Sequence, residues 1–165
     1  MDDLWRPLIH GSLKINCGVR VDKRKRQIGY GIIVRNEEGR VLWCSAQGCE
    51  VNYDLDSAKA MAIYKGITAG RDKGLVNYVV ESDAETVIKQ IGKGDLLETS
   101  YTGIMVAIQN LMADVRNVSF HHVSTKANKV ALALAKEALS IHNMVGWKED
   151  APLCITKMVE VEQRP

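Results

Sequence analysis

Asp83 is the residue placed best for chemistry. It closes the run Asn77-Tyr78-Val79-Val80-Glu81-Ser82-Asp83, an apolar, β-branched stretch that ends in a carboxylate just as a helical pattern begins. A short run of this kind between two helical patterns reads as a central strand of an α/β sheet. Such sheets gather their chemistry at the carboxyl ends of strands, so a catalytic acid is expected there, provided partner groups converge on it. A second candidate group is Lys23-Arg24-Lys25-Arg26, four consecutive cations suited to phosphate contact or to guarding a solvated strand edge. His121 and His122 alternate across a strand, which predicts one in the core and one exposed, with metal ligation disfavoured. Cys17, Cys44, Cys49 and Cys154 show no C-x-x-C pairing, so zinc is not expected and free thiols in a reducing compartment are.

These residues need elements to hold them. Residues 1–11 carry Trp5, Pro7 and Gly11 without a period, which predicts an irregular lead-in anchored by its tryptophan. Leu13, Ile15, Cys17, Val19 and Val21 then alternate with Lys14, Asn16, Gly18, Arg20 and Asp22, the pattern of a half-buried strand. The basic turn follows, then a strand through Ile28, Tyr30, Ile32 and Val34, a turn at Asn36-Glu37-Glu38-Gly39, and a third strand from Val41. From there the period changes. Asp54 or Asp56 caps a helix through Ala58, Met61, Ala62 and Ile67, and the Asp83 strand comes next. A short helix with Val87, Ile88 and Ile91 ends at Gly92-Lys93-Gly94. Tyr101, Ile104, Met105, Ile108, Leu111, Met112 and Val115 stripe a longer one. Val118 and Phe120 begin a last strand, and Val130, Ala131, Leu134, Ala138 and Ile141 stripe a last helix. The order predicts an α/β protein with a mixed five-stranded sheet, a three-strand antiparallel meander followed by alternating helices and strands, flanked by helices. Residues 1–145 form one domain in this reading, and 146–165 a tail or added edge element.

Composition sets bounds. The 165 residues suit one domain, and 46% apolar with 25% charged content is that of an ordinary globular protein. No window approaches the roughly 20 apolar residues of a membrane span, and the first residues lack the regions of a signal peptide, so an intracellular protein is expected. A net charge of +2 neither demands nor excludes a polyanion; where the charges sit matters more.

Five segments carry a resemblance. Lys14-Ile15-Asn16-Cys17-Gly18, Ile33-Val34-Arg35-Asn36 with Gly39, Ala58-Lys59-Ala60-Met61-Ala62 with Gly66, Val80-Glu81-Ser82-Asp83, and Ala127 to Lys136 resemble, in order and spacing, the signature segments of RNase H-like domains common in plant proteins and retroelements. The resemblance spans roughly residues 5–142 and implies the ribonuclease H fold. It also implies four acids holding two magnesium ions that activate water at an RNA phosphodiester. The family pattern places those acids at Gly18, Lys59, Asp83 and Leu132. Only Asp83 is acidic, so the resemblance implies a pseudoenzyme with no magnesium bound.

No substitute acid is evident. Asp22 lies four residues beyond Gly18, roughly 13 Å along a strand, whereas the metals of such a pair sit about 3.5–4 Å apart. Asp54 and Asp56 are explained by capping, Glu81 points away from the Ser82 face, and Asp114 and Glu137 fall off the family spacing. At an effective dielectric of about 20 and about 6 Å, a lysine at 59 opposes a divalent cation by roughly 5 kcal/mol, less what its flexible stem recovers in water. Each position also has a structural account. Ser82 with Glu85 resembles a capping box and the helix dipole favours Asp83; Lys59 can pair with Asp83 or reach solvent; Leu132 widens an apolar stripe; and Gly18 leaves space where a carboxylate stood. On that last reading, Gly18→Asp, Lys59→Glu and Leu132→Asp together should recreate a divalent site.

Two partner classes follow. The first is nucleic acid, an RNA/DNA hybrid or RNA, contacted by Lys14, Asn16, Lys23, Arg24, Lys25, Arg26, Lys59 and Asn128, with Lys14 and Asn16 on an exposed strand face. Thr125 and Ser124 stand where the family pattern expects a basic residue, which removes one phosphate contact. The second is a protein partner or a homodimer, favoured by Leu132 and by the tail with Trp147. An active metal-dependent ribonuclease is the third reading, and requires a different residue mapping.

Overall fold

The alternation that begins at Leu13 becomes β1 (Leu13–Asp22), whose odd-numbered members Ile15, Cys17 and Val19 are buried. The computed structural model describes residues 4–7, 11–50, 54–94 and 99–163. β1 turns through the basic run into β2 (Gln27–Arg35), and β2 turns at Asn36–Gly39 into β3 (Val41–Cys49). Both turns have local causes. The Asp22 carboxylate accepts from the backbone N–H groups of Arg24 and Lys25, and Asn36 Oδ1 accepts from those of Glu38 and Arg40 while Gly39 takes a φ of +77°.

Asp54 caps α1 (Leu55–Asp72), its Oδ1 accepting from Ser57 N at 2.7 Å. Hydrogen bonds from Ser100 and Ser57 hold its carboxyl below the ordinary range. β4 (Tyr78–Ser82), α2 (Glu85–Lys93), α3 (Thr102–Met112) and β5 (Val118–His122) follow, then a 3₁₀ turn at Lys126–Asn128 leading into α4 (Lys129–Ala138). The expected capping box at α2 does not form. Ser82 Oγ accepts instead from Ala84 N, and Glu85 pairs with Lys89 one turn along. Both His121 and His122 are exposed, because β5 lies at the sheet edge and neither of its faces is deeply covered there.

The sheet has six strands, not five, in the order β5-β4-β1-β2-β3-β6. β1, β4 and β5 run parallel to their neighbours and the rest pair antiparallel, so the mixed sheet and its opening meander are as expected. The added strand is β6 (Met144–Lys148), paired with β3, and α5 (Leu153–Gln163) follows it. β6 straddles the boundary placed at residue 145, and the last twenty residues are not a loose tail. Ile155 and Val159 of α5 join Ile33, Cys44, Val130, Ala131 and Leu134 in a second apolar core on the α4 side of the sheet. α1, α2 and α3 close the larger core on the other side. No helix among the described residues is long and apolar enough to cross a membrane.

The second face of β1 is where pattern and structure part. The alternation predicts Lys14 and Asn16 exposed, yet Asn16 is fully buried and Lys14 is largely covered. α4 and α5 lie over that face, so its polar groups pair among themselves. Asn16 Nδ2 donates to Glu81 Oε1 and to Asn128 Oδ1, each at 3.1 Å, and Lys14 Nζ meets Glu81 Oε2 at 3.0 Å. Beyond them Arg35 pairs with Glu162 of α5 at 2.5 Å, and its guanidinium stacks 3.5 Å from the ring of Trp5. Trp5 is thus the anchor of the lead-in.

Candidate functional site

One cleft of about 860 Å³ opens at the carboxyl end of β1, beside the carboxyl end of β4 and the first turns of α1. Lys59, Asp83 and Leu132 all line it, so three of the four positions named by the family pattern face one space. Helical and strand periods bring them there. Lys59 is one turn into α1, Asp83 follows the last residue of β4, and Leu132 lies in the first turn of α4. The basic hairpin forms a wall through Lys23 and Arg26, while Arg24 and Lys25 are exposed at its tip.

Gly18, the fourth position, does not leave vacant room. A β-carbon built on it would lie 2.7 Å from Ala131 C, 2.8 Å from Ala131 O and 2.9 Å from Leu132 N, all main-chain atoms of α4. Gly31, its cross-strand partner, likewise faces the Ala131 carbonyl, and Gly29 faces that of Ala135. α4 therefore seats directly on a glycine track across β1 and β2, using its own small residues, and its backbone occupies the volume a carboxylate would need.

The residues present do not fit a pair of divalent ions. Gly18 has no side chain, Lys59 is cationic, and Leu132 is apolar and 8% exposed. Asp22 and Asp54 line the cleft with Asp83, but among the described residues no three His, Cys, Asp or Glu side chains converge as a metal site. Asp22 is occupied by the turn and Asp54 by its cap. No ion pair joins Lys59 to Asp83 among the described residues, which leaves both charges facing the cleft.

Three of the expected nucleic-acid contacts are withdrawn by the structure. Lys14 is held by Glu81 and by the Arg6 carbonyl, and Asn16 is buried. Asn128 is 1% exposed and donates to the Cys17 carbonyl at 2.9 Å, fastening the start of α4 to β1. Each satisfies a buried polar neighbour, and a ligand could reach it only by breaking those bonds. Conversely, Arg20, Gln27 and Leu55 line the cleft and were not anticipated. For Arg20 the signal existed, since it shares the Gly18 face of β1 and lies nearer the open end.

The cleft geometry corresponds to a known family. Residues 16–138 match the reverse transcriptase-like family. The chain belongs to that family. No curated protein sequence matches the chain. Among solved structures, the N-terminal RNase H domain of a Mycobacterium tuberculosis protein is similar at a TM-score of 0.69 and 19% identity, covering 79% of this chain and 95% of that one. RNase H1 of Halobacterium salinarum gives 0.66 at 20% identity, covering 78% and 98%. An RNase H1 named LC11, solved in complex with an RNA/DNA hybrid, gives 0.68 at 20% identity, covering 77% and 96%. The family member described here therefore has an α/β RNase H-like fold, with β6 and α5 lying outside the matched residues.

Proposed function

We propose that this chain is a nonhydrolytic RNase H-like domain that binds nucleic acid, an RNA/DNA hybrid or RNA, in the cleft beside Asp83. One observation carries the reading: the positions that the family pattern gives to acids open onto a cleft whose charged walls are Arg20, Lys23, Arg26 and Lys59, with Asp83 the only acid at those positions. Cations at this mouth suit phosphates, which supply most of the affinity in such complexes. That a structurally similar RNase H1 is solved with an RNA/DNA hybrid supports the same ligand class. Without a converging acid set there is nothing to hold metal ions, and phosphodiester hydrolysis by this fold depends on them.

Two measurements test it. Purified protein is expected to leave the RNA strand of a hybrid intact in magnesium or manganese; cleavage that co-purifies with the protein and vanishes in Asp83→Asn would show a working centre. In titrations against hybrid, double-stranded RNA and single strands at two salt concentrations, three cation contacts give a slope of about −2.7 in log affinity against log salt. Replacing Lys23, Arg24, Lys25 and Arg26 by serine should flatten that slope. The second reading, a protein-interaction module, draws on Leu55, 51% exposed at the cleft with Leu132, Val19 and Val21. Absence of any binding at low salt would favour it.

A further inference from the structure

The two edges of the sheet are unlike. β5 carries Ser119, His121 and His122 and is packed by α2, whereas β6 reads Met144-Val145-Gly146-Trp147-Lys148 and has no strand beyond it. Met144 is 58% exposed and Val145 38%. Proteins usually blunt such an apolar edge with charge, proline or a bulge, and here one lysine at the strand's end is the sole charge.

The hydrogen-bonding phase of β6 is set by β3. Glu149 N donates to Leu42 O, so in the antiparallel ladder the residues bonded to β3 are Glu149, Trp147 and Val145. Met144, Gly146 and Lys148 consequently turn their N–H and C=O groups outward. An antiparallel partner strand has to match that phase, and a second β6 does so when the dyad falls on Gly146. Gly146 then faces its own copy, Met144 faces Lys148 of the second copy, and every outward backbone group is paired. Val145 meets Trp147 across the junction on the α4 side, an aromatic–β-branched pair of the kind that stabilises sheets. No like charges oppose one another in this register, and its continuation brings the His142 end of one strand to the Glu149–Asp150 end of the other.

We propose that β6 is the contact edge of a symmetric homodimer, paired antiparallel about Gly146 so that one sheet runs through both copies. The nucleic-acid cleft is lined by β1, β2, α1 and α4 and includes no residue of β6, so the proposal stands apart from the function reading. The full chain is measured by sedimentation and light scattering over a wide concentration series. Wild type is expected to pass from monomer to dimer. Met144→Lys sets lysine opposite Lys148 at both ends of the junction and is expected to raise the dimer Kd about tenfold. Adding Lys148→Glu should restore dimerisation, and Met144→Glu alone should tighten it, each with an unchanged melting temperature because both side chains are at the surface. A wild type that stays monomeric throughout overturns the proposal. So does a dimer indifferent to Met144→Lys, or one that Lys148→Glu fails to rescue.

Discussion

A β-carbon on Gly18 would lie within 2.9 Å of three main-chain atoms of α4, and main chain yields less readily than the tip of a side chain. This changes what substitution there should do. Overpacking a well-filled site costs about 1–3 kcal/mol. Gly18→Asp is accordingly expected to lower stability, and the triple variant Gly18→Asp, Lys59→Glu, Leu132→Asp to lower it further without recovering in magnesium. A ligand that binds only the folded state raises its melting temperature, so calorimetric melts with and without magnesium decide the matter. A triple variant regaining its melting point in magnesium would show that α4 can lift from the glycine track. The four family positions were legible from spacing. The closure at Gly18 was not, because spacing locates a residue on a strand and says nothing of how near the next layer packs.

α5 is the element whose role depends most on contacts made far away in sequence. Its Glu162 is buried against Arg35, and burial pulls the Arg35 guanidinium's pKa down while the Glu162 carboxylate pushes it back up. Removing one partner of such a pair strands the other charge away from water, which costs about 3–5 kcal/mol. Glu162→Gln should therefore destabilise the chain by roughly 3 kcal/mol, read from the midpoint of a urea titration. Loss of less than about 0.5 kcal/mol would mean that α5 is held by its apolar face alone. Tyrosine, histidine and cysteine at ordinary spacing revealed nothing of this latch. Trp5 was recognised as an anchor, yet the sequence did not reveal that it rests on Arg35, 30 residues downstream and clamped by a helix still further on.

Across the whole molecule, two buried acids set the alkaline limit. Burial pushes the Cys44 thiol from 9.0 up to about 12, and burial likewise pushes the Tyr78 phenol from 10.0 up to about 12. Both hold their protons more tightly when folded than when unfolded. Their contribution is thus complete below the unfolded pKa values and is lost as pH climbs from about 9 towards 12. Melting temperatures should fall steadily over that interval, and Cys44→Ala should reduce the slope of the decline, at some cost in packing at neutral pH. A melting temperature flat to pH 11 would show that the two sites admit water. Cys17, whose thiol burial also raises, reinforces the same trend from the opposite core.

Period-two and period-3.6 patterns by themselves determined the order of elements through α4, the meander, and the strand that carries Asp83, because those patterns follow from local geometry that each segment expresses alone. They also determined which residues share a face, and so gathered Lys59, Asp83 and the hairpin cations at one end of the sheet. Only the tertiary structure decided which faces are covered. The polar side of β1 reads as solvent-facing, but α4 and α5 descend on it, burying Asn16 and Asn128 and leaving Arg20 at the open end. β6 escaped notice for the same reason: five residues with a central glycine have too little period to declare a strand, and they become one only because β3 offers an unpaired edge against which their backbone can bond.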